Sequence, residues 1–220
     1  MPQPAFLSST IGRKVVMAVT GLLLVGFIIA HMVGNLLLYQ GPEAINEYGH
    51  FLRTFLHGWG LWIARAGLLG ATLLHIASAV SLAREELAAR PVRYRIWKAN
   101  QSTYASRTMR WSGVIVLSFV VYHLLHFTVG SAHPDFIAED VYHNVVSGFR
   151  PWPVALFYVL SMVLLGLHLR HGVWSLFQSL GVSHPRYLAM AQAGAAALAA
   201  IVVLGNISFP LSVLFGLVGR

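Results

Sequence analysis

Four histidines are the residues most able to do chemistry in this sequence, and each lies singly within a long apolar stretch: His31, His75, His123 and His168. A hydrocarbon core of about 30 Å needs roughly 20 apolar residues of helix to cross it. An ionisable side chain inside such a core is costly, and it is rare there unless it has a partner or a function. One histidine on each of four helices indicates two pairs of ligands, and haem is the group that two opposed histidines hold in a helix bundle.

The composition is that of an integral membrane protein. The 220 residues are 57% hydrophobic and only 10% charged, whereas a soluble domain has about 25% charged residues. The formal charge of +8 comes from Lys and Arg between the apolar stretches, which indicates membrane topology and not a nucleic-acid-binding face. The absence of cysteine excludes disulfides, cysteine-ligated iron–sulfur clusters and thioether-attached haem in this chain.

The apolar pattern predicts an all-α membrane protein, a single transmembrane domain over 1–220. Five helices are expected, at about 15–39, 59–83, 108–130, 152–177 and 187–217. Segments 40–58 and 131–151 are predicted loops, and Pro210 is expected to kink or shorten the last helix. Lys and Arg concentrate before the first helix, in the 84–110 connection and near the 178–186 turn. The positive-inside rule therefore places the N-terminus in the cytoplasm and the C-terminus outside.

The depths of the four histidines predict how they pair. At about 1.5 Å per residue, His31 lies roughly 24 Å along the first helix, near its outer end. His123 lies in the outer half of the third helix. His75, roughly 13 Å from Arg84, lies in the inner half of the second helix, as His168 does in the fourth. We therefore expect an outer pair, His31 with His123, and an inner pair, His75 with His168, whose two haems would carry electrons between the membrane faces.

Five motifs stand out along the chain: Ser9–Lys14, Met17–Gly21, His31–Asn35, Glu43–Tyr48 and His168–Ser175. They resemble the motifs of a known family, the five-helix, di-haem cytochrome b subunits of succinate:quinone oxidoreductases (succinate dehydrogenase and fumarate reductase). The resemblance covers nearly the whole chain. It implies that helix one pairs with helix three and helix two with helix four, in agreement with the pairing by depth.

The resemblance also implies cofactors and partners. The chain would be a multi-pass protein of the bacterial cytoplasmic membrane that anchors a flavoprotein subunit with FAD and an iron–sulfur subunit on the cytoplasmic face. Electrons would pass through two b haems between the iron–sulfur subunit and a quinone, with menaquinone the expected one. Succinate or fumarate chemistry would belong to a partner subunit. Lipid and quinone are the other expected partners, no nucleic acid is expected, and a higher oligomer of the complex is left open.

Two further histidines compete with the candidate ligands. His126 follows His123 by three residues and shares its helix face, and His171 has the same relation to His168, so spacing cannot choose between them. Position in the family favours His123. His126 could bind a propionate or a quinone, or simply lie at the membrane interface. His171, beside Arg170, is expected at the interface or near a propionate.

Other residues could contact a quinone or a propionate. The full set of such candidates is Ser9, Arg13, Glu47, His50, Arg65, His126, Arg170 and His171. Arg65 and Arg170 fall inside predicted helices, where each could bind a propionate or extend to the interface. Ser9 and Arg13 could bind a quinone or a phospholipid, although Arg13 also fits an ordinary positive-inside charge. The remaining loop histidines, His133 and His143 among them, are expected to be solvated.

The sequence leaves two rival functions open. One is the haem b anchor of another respiratory quinone-linked oxidoreductase. The quinol cytochromes of the bc type, however, place two histidines on each of two helices, unlike the arrangement here. The other is a membrane transporter that uses intramembrane histidines. A transporter predicts acidic residues or broken helices at the midplane, and the predicted spans contain no Asp or Glu.

Overall fold

The computed structural model describes residues 9–89, 104–182 and 184–219, with side chains from 109 onward in the second range. Within these ranges the secondary structure is helical, without strands. Seven α-helices are present there: α1 Thr10–Asn35, α2 Pro42–Thr54, α3 Trp59–Ala88, α4 Tyr104–Leu124, α5 Val141–Phe149, α6 Trp152–Ser179 and α7 Pro185–Leu214. Short 3₁₀ segments, Leu36–Gln40 and Phe55–Gly58, flank α2, and a π-helical turn, Leu125–Val129, extends α4.

Five of the helical segments are long and apolar enough to cross a membrane: Thr10–Gln40, Pro42–Ala88, Met109–Val129, Trp152–Ser179 and Pro185–Leu214. The predicted fold, an all-α membrane protein with five spanning helices, is therefore confirmed. Large apolar side chains are exposed along these helices, for example Leu22, Leu69 and Leu204. Lipid is the environment that suits such a surface. The orientation of the termini stays a prediction.

Both segments predicted as loops contain a helix. Segment 40–58 contains α2, which begins with Pro42 in its first turn after Gly41 at φ +104°. A proline suits this position because the first helical N–H groups need no intrahelical acceptor. Segment 131–151 contains α5, whose N-terminus is capped by Asp140 accepting a hydrogen bond from the backbone N–H of His143 at 2.9 Å. These two short helices pack against each other at one end of the bundle.

The helix α6 is the centre of the bundle. It packs on α7 and on α4, while α1 packs on α3. Its buried residues, among them Ala155, Met162 and Leu165, supply much of the apolar core. A methyl group on Gly166 would collide with Val203 of α7, so this glycine allows the two helices to approach closely.

Other bounds differ from prediction by a few residues. The first span begins at Thr10 and α3 extends to Ala88, five residues beyond each predicted end. The last helix continues past Pro210 and ends at Leu214, three residues short of the predicted end. Most of the predicted basic connection, Arg90, Arg93, Arg95 and Lys98, lies outside the described residues, as does the side chain of Arg107.

Candidate functional site

The outer pair is formed across α1 and α4. The imidazole centroids of His31 and His123 lie 5.8 Å apart, with their planes at 88°. His31 also stacks on Phe27, one turn earlier on α1, with centroids 5.4 Å apart. His31 is exposed and His123 is partly buried. The two rings thus face each other across the interface between two spanning helices.

The inner pair is formed across α3 and α6. The ring centroids of His75 and His168 are 6.4 Å apart, with an interplanar angle of 60°. Both rings are partly buried. The structure therefore brings together the same two pairs that helix depth predicts. Within the described residues, no group of three or more His, Cys, Asp or Glu side chains could hold a bare metal ion.

Hydrogen bonds fix the orientation of both inner rings. Nδ1 of His75 lies 3.2 Å from the carbonyl oxygen of Met17, and a carbonyl only accepts, so Nδ1 carries the proton. Nδ1 of His168 lies 3.3 Å from Oγ of Ser112. That hydroxyl donates to the carbonyl of Met109 at 3.0 Å, which leaves it to accept from His168. Both neutral rings therefore keep the lone pair of Nε2 available for a ligand bond.

Two glycines lie beside the inner rings, and one of them makes room for its histidine. A methyl group on Gly21 would lie 3.3 Å from Cε1 of His75, and one on Gly113 would lie 3.8 Å from Cε1 of His168. Gly21 belongs to the Met17–Gly21 motif, which thus supplies both the close approach of α1 to His75 and the carbonyl that orients its ring. A larger side chain at Gly21 would press on the imidazole.

Nδ1 of His123, in the outer pair, lies 3.4 Å from the hydroxyl of Tyr158 on α6. The same hydroxyl is 3.0 Å from Nδ1 of His126. His126 is fully buried, at 0% exposed, and its predicted position at the membrane interface stays a prediction. Its ring packs on Tyr122, Phe127, His133 and Tyr158, whereas His123 is the residue that faces His31.

Tyr158 and His133 are site residues that sequence reasoning missed. His133 was expected to be solvated, yet it is only 8% exposed. Its Nε2 donates to the carbonyl of Asn144 at 2.9 Å, and its Nδ1 accepts from the backbone N–H of Asp135 at 3.0 Å. A tyrosine inside an apolar helix needs a partner for its hydroxyl, which is the sequence signal that could have identified Tyr158.

His171 follows the inner-pair residue His168 by three positions, as His126 follows His123 in the outer pair. Its ring lies 6.0 Å from that of Trp174, nearly perpendicular to it. Nδ1 of His171 and Nε1 of Trp174 are both buried without a hydrogen-bond partner in the described part of the chain. Arg170, the adjacent residue, is exposed. The predicted propionate role of His171 and Arg170 stays a prediction.

Arg13 forms a polar connection between α1 and α3. Its guanidinium binds the Ser81 hydroxyl and forms a salt bridge with Glu85, and its Nε donates to the carbonyl of Ser9 at 3.4 Å. Ser9 also caps α1, since its hydroxyl oxygen accepts from the N–H of Gly12 at 3.0 Å. These contacts give both residues a role in packing and helix capping. Their role as quinone or phospholipid contacts stays a prediction.

The other candidate contacts lie at the surface. Arg65 is exposed, and its guanidinium carbon is 5.1 Å from the ring centroid of Trp62, a cation–π contact. Glu47 and His50 are exposed on α2. On the same helix, Asn46 donates to Asp140 at 3.0 Å and so connects α2 to the cap of α5.

The fold and the paired imidazoles define a class, the polytopic helical membrane proteins that carry opposed histidines within the membrane. The comparisons with known proteins narrow that class. The sequence model of the succinate dehydrogenase/fumarate reductase transmembrane subunit matches residues 88–205, more than half of the chain. The chain belongs to this family. A search of curated proteins and a search of solved structures each gave no match.

The matched range contains one member of each histidine pair. His123 and His168 lie within 88–205, while His31 and His75 lie before it. The match therefore covers α4, α5, α6 and most of α7, and the pairing with α1 and α3 comes from the structure. The chain is the membrane-anchor subunit of a succinate dehydrogenase or fumarate reductase, and the family implies its association with the flavoprotein and iron–sulfur subunits of such an enzyme.

Proposed function

We propose that this anchor subunit is a di-haem cytochrome b that carries electrons between its iron–sulfur partner and membrane quinone. Each haem iron would be held between two histidines, His31 and His123 in the outer pair and His75 and His168 in the inner pair. Family membership supports this assignment over the anchor of another respiratory enzyme and over a transporter. The excess of basic residues at the N-terminal side supports a cytoplasmic N-terminus in the bacterial inner membrane.

The separation of the paired rings carries the proposal. A metal–imidazole nitrogen bond is about 2.0–2.1 Å long, so two imidazoles on opposite sides of one metal have centroids about 6.4 Å apart. The observed separations are 5.8 Å for the outer pair and 6.4 Å for the inner pair. Two histidines leave a metal ion short of ligands, and a porphyrin supplies the remaining four in its plane. In the described residues, no third ligating side chain completes a metal site at either pair. Haem therefore suits these pairs.

The protonation of the rings supports the same conclusion. A histidine that binds a metal through one ring nitrogen normally donates a hydrogen bond from the other. His75 donates from Nδ1 to a carbonyl, His168 donates from Nδ1 to a hydroxyl, and Nδ1 of His123 faces the Tyr158 hydroxyl. Nε2 would then be the ligating atom in His75 and His168, and Nδ1 of His123 would donate to Tyr158 when its Nε2 ligates.

A bound haem b supplies a one-electron couple. The chain's own residues would hold one haem at each histidine pair and orient the imidazoles through their Nδ1 hydrogen bonds. Hydrogen bonding to the ligands is one of the means by which a protein sets a haem potential. Quinone is the expected partner in the membrane, with menaquinone the expected form, and FAD and the iron–sulfur clusters remain on the partner subunits.

Optical spectroscopy of the purified chain tests the proposal. We expect a Soret band, reduced-minus-oxidised α-bands of b-type haem, and a pyridine haemochromogen assay that gives two haems per chain. A complex purified with its partner subunits from cells supplied with haem, yet without the Soret and α-bands of b-type haem, would refute it.

A further inference from the structure

Three side chains form a continuous hydrogen-bonded chain behind the outer pair. The hydroxyl of Tyr158 lies 3.4 Å from Nδ1 of His123 and 3.0 Å from Nδ1 of His126. Tyr158 is 5% exposed and His126 is 0% exposed, so water does not compete for these groups. We call Tyr158 and His126 the outer relay.

Ligation of iron by His123 fixes the direction of the outer relay. If Nε2 of His123 binds the metal, the neutral ring carries its proton on Nδ1 and donates to the Tyr158 oxygen. The Tyr158 hydroxyl then has its own proton to donate, and Nδ1 of His126 is the acceptor within reach. Nε2 of His126 is buried with no hydrogen-bond partner in the described ranges, so the polar contact that holds this ring is the one to Tyr158.

Aromatic packing holds the outer relay in place. The Tyr158 ring meets Phe119 and Phe149 edge to face, with centroids 5.1 Å and 4.9 Å away. His126 stacks on His133 at 4.9 Å and 27°, and His133 is bonded through both of its nitrogens. The acceptor for His123 is therefore fixed by packing before any cofactor binds.

The hydrogen-bond chains behind the inner pair are shorter. The hydroxyl near His168, on Ser112, donates to a carbonyl of its own helix. The Thr20 hydroxyl, 3.4 Å from Nδ1 of His75, donates to the carbonyl of Val16 at 2.7 Å. Each inner hydrogen-bond chain therefore ends on a backbone carbonyl, while the outer one continues through a second side chain. The two sites thus differ in the groups that hydrogen-bond to their histidines, although each would have two histidine ligands.

We propose that Tyr158 and His126 are positioning residues that orient the axial imidazole of His123 and lower the reduction potential of the outer haem. This inference rests on the proposed di-haem function. An axial imidazole whose N–H is hydrogen-bonded is a stronger electron donor to iron, which stabilises the oxidised state. A tyrosine that itself donates to His126 is polarised into a better acceptor. Removing either member should therefore raise the potential of the outer haem.

The experiment is a redox titration of both haems in the membrane-embedded complex, at one pH, for Tyr158→Phe, His126→Leu and the double variant. His31→Ala identifies the outer haem by its loss. Tyr122→Phe is the matched control, because its ring packs on both relay residues while its hydroxyl makes no hydrogen bond in the described structure. His126→Asn is the rescue variant, since its amide oxygen can accept in place of Nδ1.

We expect Tyr158→Phe to shift the outer haem to a more positive midpoint potential, with both haems retained and the inner potential unchanged. His126→Leu should shift it less, the double variant no further than Tyr158→Phe, and His126→Asn and Tyr122→Phe should match the unmodified protein. An unchanged outer potential in Tyr158→Phe would overturn the inference while leaving the di-haem function intact. If Tyr158→Phe loses the outer haem, His126→Leu decides: a positive shift supports the relay and no shift overturns it. A complex without haem would instead refute the proposed function.

Discussion

Removing one inner ligand should remove one haem and leave the other. The inner pair joins α3 to α6 through His75 and His168, and the outer pair joins α1 to α4, so the two sites share no ligand. Sites without shared partners respond independently. We therefore expect His168→Ala to reduce the haem content from two to about one per chain and to stop quinone-linked turnover, and His75→Ala to do the same.

The assay is pyridine haemochromogen quantitation on the purified complex, with reduced-minus-oxidised spectra to identify the haem that remains. His171→Ala is the matched control, because its ring lies against Trp174, one turn along the same helix, and we expect it to retain both haems. Added imidazole should restore the missing haem in His168→Ala by occupying the space of the lost ring. Two intact haems in His168→Ala, or haem loss in His171→Ala alone, would refute the ligand assignment.

Two further predictions concern stability. Gly166→Ala should destabilise the α6–α7 interface by about 1–3 kcal/mol, because its methyl group would collide with Val203. The measurement is the unfolding temperature in detergent, which should fall. Gly172→Ala is the control and should leave this temperature unchanged, because its methyl group meets no atom within 4 Å. The hydrogen bond from the backbone N–H of His143 lowers the pKa of Asp140. The charged cap therefore stabilises the fold above the ordinary carboxyl pKa, and this contribution is lost as pH falls through the lowered value. The measurement is the free energy of unfolding over a series of pH values. Asp140→Asn should keep a cap whose contribution is not lost at acid pH, whereas Asp140→Ala should cost about 1 kcal/mol at neutral pH. The prediction is contradicted if Asp140→Asn loses stability at acid pH as the unmodified protein does.

The spanning helices could be predicted from the sequence because the membrane imposes a simple rule on it. Each span must be long and apolar, and each buried polar group stands out against that background. Depth along a helix then follows from residue number, which is why the same histidine pairs emerge from counting and from the structure. No comparable rule predicts the side-chain contacts between helices. The position of Gly21 against His75 depends on how α1 rotates toward α3.

The short helices were missed for a related reason. Helix α2 lies outside the apolar runs and has the composition of a loop, with Glu43, Glu47 and Arg53 in thirteen residues. The starting signals were present, however: Gly41-Pro42 suits a helix N-terminus as well as a chain break. Asp140 before α5 was likewise a capping signal. Gly41-Pro42 shows that residues which end one element can also begin the next.

The choice between His123 and His126 shows what spacing alone cannot decide. In a regular α-helix, residues three apart share a face, so either could turn toward a ligand on α1. Here the α-helix ends at Leu124 and gives way to the π-helical turn Leu125–Val129. A π turn places more residues in each turn, which changes the direction of the side chains within it. His126 consequently packs toward Tyr158 and His133, while His123, in the last α-helical turn, faces His31. If the outer relay operates as we propose, the histidine that spacing offered as a rival ligand serves instead to orient the true one, and the π turn is what separates the two roles.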